Sequence, residues 1–268
     1  MIDTHSHCRY SMDSMEEPRK NIEAAIEGGL KVLAFTDHVD RYEAGHPLDY
    51  IFDVEAYFKE LRQLKEEYRR DLKILLGVEI GMRPAICEAM DEFVSQYPFD
   101  YVIGSIHALA DLDIAVHARE LAKNPHQSYQ IYLEETLTCV REMKNFHILG
   151  HMDYLDRYLA RVGTVPPYED FQELTTEILK ALIQSGRGLE LNTAGLRKGL
   201  SYYNPKDEIL KQYRKLGGEI ITLSSDAHFA RDIGYHHQVA ADHLRALGFQ
   251  ELSYYEGGQR KTLPLAQG

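Results

Sequence analysis

The chain has 268 residues, of which 44% are hydrophobic and 27% charged, and its formal net charge is −12 at pH 7. This length suits one large α/β domain or two small ones, and the apolar fraction is sufficient for a buried core. The acidic balance argues against nonspecific nucleic-acid binding, but it does not exclude a small anionic substrate, because bound cations invert the local field.

The cysteine content and the absence of long apolar runs predict the compartment. Cys8, Cys87 and Cys139 show no CxxC spacing and do not make a disulfide framework, which suggests a reducing environment. The N-terminus enters the first polar motif without an apolar targeting segment, and no apolar run approaches the length of a membrane span. We therefore expect a cytoplasmic protein with neither nucleic-acid nor membrane partners. The sequence does not predict the oligomeric state.

Helical and strand-like segments alternate along the chain, without a linker or a low-complexity stretch. The first helix is predicted to stop at Gly28-Gly29, and the second has Val54, Tyr57 and Phe58 at helical spacing. The predicted helices are 16–29, 53–70, 84–96, 127–144, 168–185, 205–216 and 236–247. After the opening segment, the predicted strands are 31–36, 73–79, 100–106, 147–150, 187–192 and 219–224, with a last short strand near 249–254.

This alternation predicts the fold class. With the opening segment it makes about seven βα units in a single run, which favours a (β/α) barrel over an open doubly wound sheet. Neither a Gly-rich dinucleotide motif nor a P-loop follows any predicted strand. We therefore expect one α/β domain over residues 1–268, built as a seven-stranded barrel.

Residues typical of metal sites lie at or near the ends of the apolar strands. The motifs are Asp3-Thr4-His5-Ser6-His7, Thr36-Asp37-His38, Gly77-Val78-Glu79, Ser105-Ile106-His107, Gly150-His151-Met152-Asp153 and Ser225-Asp226-Ala227-His228. In a parallel α/β fold the carboxyl ends of the strands gather at one face, where catalytic groups sit. Imidazoles and carboxylates that converge there are the ligands of zinc, manganese or iron. The pattern predicts a multinuclear metal enzyme.

Taken singly, each motif has a less specific explanation. A lone histidine at a strand end is more often structural than a ligand, and a glutamate there is usually an exposed charge. However, His5 and His7 share one side of a strand because they are two residues apart, and Asp226 and His228 repeat that spacing. Glu79 has two oxygens and can bridge two cations. Six such motifs in order are hard to attribute to chance.

Other polar residues are candidates for substrate binding. Arg197 lies in the stretch from Gly188 to Lys198, in a Gly-containing loop, where a guanidinium is suited to bidentate phosphate recognition. Arg157 is a second candidate, although an ordinary surface role is a real alternative for both arginines. His117 is predicted to line the mouth of the site. The remaining histidines are interpreted as surface or structural: His46, His126, His147, His236, His237 and His243.

These motifs, in this order, resemble those of the polymerase and histidinol phosphatase (PHP) superfamily. The stretch from Gly188 to Lys198 is similar to its monofunctional histidinol-phosphate phosphatase branch. The resemblance implies a distorted seven-stranded barrel with three divalent transition-metal ions at the carboxyl ends of its strands. By motif, one ion would be held by His5, His7, Glu79 and Asp226, a second by Glu79, His107 and His151, and a third by Asp13, His38 and His228. Asp13 departs from members that have histidine there.

The implied reaction is hydrolysis of L-histidinol phosphate to L-histidinol and phosphate, as in histidine biosynthesis. Water activated by the cations would attack phosphorus, Arg157 and Arg197 would hold the phosphate, and His228 or Asp226 would protonate the leaving alkoxide. Two alternatives stay open. One is a related phosphoesterase that acts on another small phosphate ester or a nucleotide, and the other is a noncatalytic barrel that keeps its metals as an accessory protein.

Overall fold

Strands and helices alternate along the computed structural model, which describes residues 1–42, 48–110 and 112–265. The strands, in chain order, are β1 (Ile2–Ser6), β2 (Val32–Phe35), β3 (His38–Val39), β4 (Lys73–Gly81), β5 (Tyr101–Ser105), β6 (Ala108–Leu109), β7 (Leu112–Asp113), β8 (Ile148–Leu149), β9 (Gly188–Asn192), β10 (Ile221–Ser224), β11 (Glu251–Glu256) and β12 (Gln259–Pro264).

The helices surround these strands. They are α1 (Pro18–Glu27), α2 (Val54–Glu67), α3 (Cys87–Ser95), α4 (Ile114–Leu121), α5 (Pro125–Glu142), α6 (Asp156–Val162), α7 (Gln172–Gln184), α8 (Ala194–Arg197), α9 (Asp207–Lys215) and α10 (His237–Ala246). Short 3-10 turns precede α3, α7 and α10. Across the described ranges, no helix combines the length and the apolarity needed to cross a membrane.

The central sheet is a distorted, nearly closed barrel of parallel strands, as predicted. Its order is β1-β2-β4-β5-β8-β9-β10. The short β3 follows β2 along the same edge of β4, where β2 pairs with the first half of β4 and β3 with its second half. The gap between β1 and β10 is closed near their carboxyl ends, where Asp226 N donates to His5 O at 2.9 Å and His7 N donates to Ala227 O at 2.8 Å. The first and last strands therefore bring His5, His7 and Asp226 together.

The core consists of apolar strand side chains and the inner faces of the helices. In α2, the predicted periodicity is confirmed, because Tyr57, Phe58 and Leu61 are buried against the barrel. The helix begins at Asp53, whose carboxylate accepts the Ala56 N–H, a cap that contributes about 1 kcal/mol. This packing fixes the strand that follows α2, and that strand carries Glu79.

The C-terminal segment differs from the prediction. The last strand, expected near 249–254, is β11, and it lies outside the barrel in an antiparallel hairpin with β12. Gly257 and Gly258 form its turn with φ of 56° and 71°, a conformation that glycine adopts readily. Tyr255 stacks on Tyr101 at the start of β5, so the hairpin packs at the amino-terminal end of the strands. The opposite end carries the metal-type residues.

Candidate metal centre

The predicted ligand residues converge at the carboxyl ends of the strands. Three groups of donor atoms come together there, each with its atoms within 4.8 Å of one another, and the groups are His5/His7/Glu79, His38/Glu79/His107 and His7/His38/His228. His151 and Asp226 adjoin these groups. The barrel thus joins residues that are more than 220 positions apart in the sequence, such as His5 and His228.

The first group is fully buried. Glu79 Oε2 lies 3.0 Å from His5 Nε2 and 3.5 Å from His7 Nε2, and none of the three side chains is exposed. Asp226 Oδ1 completes the group at 3.4 Å from His7 Nε2. Glu79 Oε2 and both Nε2 atoms have no hydrogen-bond partner among the described residues. Buried polar atoms without partners are costly, so this arrangement fits a cation among them.

Glu79 also reaches a second group with its other oxygen. Oε1 lies 2.9 Å from His151 Nε2 and 3.2 Å from His107 Nε2, and Ser105 donates a hydrogen bond to it. His38 Nδ1 lies 2.9 Å from Oε2, on the side of His5 and His7. The two carboxylate oxygens therefore face different histidines, which is the geometry of a bridging ligand.

Asp13 extends the cluster toward solvent. Its Oδ2 lies 2.9 Å from His228 Nε2, and its Oδ1 lies 3.7 Å from His38 Nε2. Burial acts to raise the pKa of Asp13, but His38 and His228 lower it below its ordinary value. Asp13 is 51% exposed, whereas Glu79 is not exposed at all. The third group is thus the most accessible part of the cluster.

His38 does not belong to one group alone. Its Nδ1 faces Glu79 Oε2, the oxygen that also faces His5 and His7, and its Nε2 faces Asp13, so the ring lies between Glu79 and Asp13. The resemblance had placed His38 only with Asp13 and His228. The donor geometry is compatible with that division, but the partition of ligands among separate ions stays a prediction.

A shell of hydrogen bonds orients the ring nitrogens. His5 Nδ1 donates to Glu190 at 2.7 Å, and His107 Nδ1 donates to Asp40 at 2.9 Å, since an ionised carboxylate can only accept. Each contact leaves Nε2 as the atom that faces the cluster. Such carboxylate–histidine pairs fix the tautomer of metal ligands and raise their basicity.

His7 is oriented by a hydroxyl instead. The Ser11 O–H donates to Asp37, so His7 Nδ1 donates to Ser11 Oγ at 2.9 Å and its Nε2 faces the cluster. Burial raises the pKa of Asp37 to about 6, and the Cys8 N–H also donates to this carboxylate. Sequence reasoning did not assign roles to Ser11, Asp37 or Asp40. Asp40 follows His38 by two residues, the same spacing that marks His5 and His7.

A cavity of about 310 Å³ opens over the cluster. Its lining combines the metal-type residues with basic and aromatic side chains, namely Asp13, His38, His107, His151, Tyr154, Arg157, Tyr158, Lys198, Asp226, His228 and Phe229. A larger depression of about 510 Å³ lies between α5 and α7, but its lining includes none of the cluster residues. The cavity over the cluster joins metal-type residues to the guanidinium of Arg157.

Arg157 forms part of the cavity wall, as expected of a phosphate ligand. It is buried, and its Nη1 lies 2.9 Å from Asp226 Oδ2. The pKa of Asp226 stays well below its ordinary value even though burial acts to raise it, because His5 and Arg157 favour the ionised form. Arg157 is thus paired with a ligand of the first group. Its predicted contact with phosphate stays a prediction.

Arg197 and His117 are placed differently from Arg157. Arg197 Nη2 donates to Ser225 O at 2.7 Å and to Asp226 O at 3.0 Å, and Nη1 is buried with no partner among the described residues. Asp226 has φ of 53°, so this guanidinium supports the backbone of a residue in a strained conformation. His117 Nδ1 contacts Asp113 O within α4. Neither residue is part of the cavity lining.

The remaining histidines lie away from the cluster, apart from His46, which is outside the described residues. His126 is 58% exposed. His147 accepts the Val102 N–H, and burial lowers its pKa to about 4. His236 and His243 contact Tyr203 and Asp207 respectively. His237 is buried behind the cluster, with Nε2 4.0 Å from Asp3. Their interpretation as structural or surface residues agrees with these contacts.

Comparison with known proteins gives the family. The model of the PHP domain matches residues 3–194. The chain belongs to the PHP family. The matched residues run from β1 to β9, and β10 lies beyond them and pairs with β9. The treatment of 1–268 as one domain stays a prediction.

Two PHP relatives and one solved structure cover nearly the whole chain. The histidinol-phosphatase of Lactococcus lactis is 32% identical over 262 residues, which cover 96% of this chain and 94% of the relative. A relative from Clostridium acetobutylicum is 34% identical over 239 residues, with 87% and 89% covered. The structure of the L. lactis histidinol phosphate phosphatase, complexed with zinc, L-histidinol and phosphate, matches with a TM-score of 0.86 at 31% identity and covers 97% of this chain and 98% of that chain.

Proposed function

We propose that this protein is a metal-dependent phosphomonoesterase that hydrolyses L-histidinol phosphate to L-histidinol and phosphate in histidine biosynthesis. The observation that carries the proposal is the position of Glu79. Its two buried oxygens face different histidines, and three of these, His38, His107 and His151, line the same cavity as Arg157. The relatives with this activity cover nearly the full chain. Substrate binding, metal binding and catalysis are therefore all proposed for this one cavity.

The donor set fits divalent transition-metal ions. We propose that His5, His7, Glu79 and Asp226 hold one ion, that Glu79, His107 and His151 hold a second, and that Asp13, His38 and His228 hold a third. Imidazole and carboxylate donors suit zinc, manganese and iron, and the residues alone do not select among these metals. When bound, such ions supply Lewis-acid stabilisation of phosphoryl oxygens and lower the pKa of water.

We propose that Arg157 binds the phosphate. Its guanidinium is fixed in the wall of the cavity, and a guanidinium pairs with phosphate oxygens through parallel N–H groups. Lys198 lines the same cavity and adds a second positive charge. Arg197 contacts the backbone of Asp226, so a direct contact between Arg197 and phosphate is supported by the sequence motif alone.

The leaving alkoxide needs a proton, for which Asp226 and His228 are the two candidates. Both carboxylate oxygens of Asp226 already face neighbours, with Oδ2 toward Arg157 and Oδ1 toward His7. His228 lies in the cavity wall and is 20% exposed, so its imidazole reaches both the cluster and solvent. We propose His228 as the group that delivers the proton, through the ring nitrogen that does not hold the third ion.

The organic part of the substrate would contact the aromatic side of the cavity. The hydroxyl groups of Tyr154 and Tyr158 form a hydrogen bond of 2.7 Å. Phe229, which is 45% exposed, lines the same cavity. Aromatic faces suit the imidazole ring of histidinol. A small phosphate ester is the only partner that the proposal requires. A cytoplasmic location is proposed because Cys8, Cys87 and Cys139 are all unpaired thiols.

A substrate panel tests the proposed function. Phosphate release is measured for L-histidinol phosphate, an aryl phosphate, a nucleoside monophosphate and a phosphodiester, with metal content determined on the same sample. We expect the highest kcat/KM for L-histidinol phosphate. A preference for the nucleotide or the diester would make the protein a related phosphoesterase, and release from none of them by fully metallated protein would make it a noncatalytic barrel.

A further inference from the structure

Two asparagines fix the guanidinium of Arg157. Asn204 Oδ1 accepts from Arg157 Nε at 2.7 Å, and Asn192 Oδ1 accepts from Nη2 at 2.9 Å. Asp226 Oδ2 accepts from Nη1 at 2.9 Å. An arginine side chain has five N–H groups, so these contacts in the described part of the chain leave two for a ligand in the cavity. The guanidinium is therefore held in one plane before any ligand arrives.

Asn204 is itself held from both sides. Its Nδ2 donates to Asp153 Oδ1 at 2.6 Å, so its amide oxygen is the atom that faces Arg157. The other oxygen of Asp153 accepts the Lys206 N–H at 2.9 Å. The Asn204 backbone pairs with Asn192 through two hydrogen bonds, which ties residue 204 to the end of β9. Asn204 is fully buried, and every polar atom of its side chain has a partner.

Gly195 provides the space that this arrangement needs. A Cβ at this position would lie 2.9 Å from Asn204 Oδ1 and 2.7 Å from Tyr202 O, both closer than real side chains allow. The glycine belongs to the stretch from Gly188 to Lys198 that carries the sequence resemblance. Its lack of a side chain lets the Asn204 amide approach the end of β9.

We propose that Asn204 is a positioning residue for phosphate recognition, and that it acts by fixing the guanidinium of Arg157. The inference rests on the proposed function. An arginine left to rotate would lose conformational entropy on binding each phosphate, and a fixed guanidinium avoids that cost. An amide serves better than a carboxylate at this position, because Asp226 already neutralises Arg157 and a further negative charge would repel the phosphate.

The test measures the affinity of the metallated protein for inorganic phosphate by calorimetry, together with kcat/KM for L-histidinol phosphate. Asn204→Ala should weaken phosphate binding and lower kcat/KM by about 10-fold to 100-fold, as expected when a catalytic group is misplaced, with metal content unchanged. The matched control is Asn145→Ala, since Asn145 is exposed and its Nδ2 donates to the Asp91 backbone carbonyl at 3.1 Å, away from the cavity. The control should keep wild-type values.

A double-mutant cycle separates positioning from general loss of structure. In the Arg157→Met background, Asn204→Ala should change phosphate affinity by less than about twofold, because the group that it orients is gone. Equal effects of Asn204→Ala in both backgrounds would overturn the proposal, as would wild-type phosphate affinity in the single variant.

A swap of donor and acceptor provides a rescue. N204D alone should bind phosphate weakly, because two carboxylates would face each other at positions 153 and 204. N204D combined with D153N restores a donor and an acceptor between these positions, and should recover part of the affinity that N204D alone loses, because the carboxylate at 204 again accepts from Arg157 while its charge stays unfavourable for phosphate. Recovery by the swap supports the proposal even if Asn204→Ala fails to fold, and no recovery in folded swap protein overturns it. Wild-type protein that binds phosphate but does not hydrolyse L-histidinol phosphate would overturn only the proposed function.

Discussion

Asp226 and Arg157 form a buried ion pair between the metal-type cluster and the cavity wall. Asp226 Oδ2 lies 2.9 Å from Arg157 Nη1, while the other oxygen faces His7 Nε2 at 3.4 Å. One carboxylate therefore contacts both the proposed phosphate ligand and the first donor group. A substitution of either residue should therefore affect both phosphate binding and metal binding.

Arg157→Met should lower kcat/KM for L-histidinol phosphate by about 30-fold to 1,000-fold, which corresponds to roughly 2–4 kcal/mol of lost charge-assisted binding. It should also lower the melting temperature, because Asp226 keeps a buried charge without its partner. Arg157→Lys should recover only part of the activity, since an ammonium does not reproduce the planar guanidinium. Steady-state kinetics and thermal unfolding measure both effects. Wild-type kcat/KM in Arg157→Met would remove Arg157 from the site.

Glu79→Gln should release metal and lower turnover by orders of magnitude. The amide keeps the shape of the side chain but cannot bridge two cations with two anionic oxygens. Metal analysis and phosphate release are measured on the same protein. His126→Ala is the control, because its imidazole is 58% exposed and lies away from the cluster. Similar losses from both variants would mean that the site is misplaced.

Metal binding should strengthen as the pH rises from 6 to about 9. Burial acts to lower the pKa of His38, but Glu79 and Asp13 raise it to about 9, and neighbouring carboxylates likewise hold the pKa of His5 and His107 well above the ordinary value. Below these pKa values the rings are protonated and cannot bind a cation, so binding must release protons. Calorimetry in buffers of different ionisation enthalpy counts these protons. Metal binding at pH 7 without proton release would contradict the expected coupling.

Arg197→Met separates two roles for this residue. Because Arg197 donates to the Ser225 and Asp226 carbonyls, we expect a lower melting temperature and weaker metal binding, with activity partly restored by excess metal. If Arg197 instead binds phosphate directly, as the sequence predicts, activity should fall with full metal content and excess metal should not restore it. Metal titration monitored by activity distinguishes the two results.

The sequence was sufficient to predict the barrel and the positions of its polar strand ends. Strand ends are marked locally, because an apolar run meets a histidine or a carboxylate at or near its end, as at Glu79, two residues before the end of β4, and at His107, just after β5. The convergence of those ends then follows from the parallel topology. For this reason the predicted ligands meet in one cluster although they are scattered along the chain.

Contacts that individual loop residues make with side chains far away in the sequence could not be predicted from the sequence. Asn204 has no periodic pattern around it, and its contact with Arg157 depends on a backbone bridge to Asn192. The helices α4 and α6 were missed because each is short, and α4 contains a non-helical residue at His117. The direction of the Arg197 side chain depends on the backbone at Asp226, and spacing in the sequence does not encode it.

The most direct test of the account is the activity of chelated protein as metal is added back. The protein is stripped of metal, titrated with zinc or manganese, and assayed for phosphate release from L-histidinol phosphate at each ratio. We expect negligible activity without metal and a rise to a plateau at two to three equivalents per chain, because the donor groups around Glu79 could hold that many ions. Full activity in protein that contains less than one equivalent of metal would contradict it.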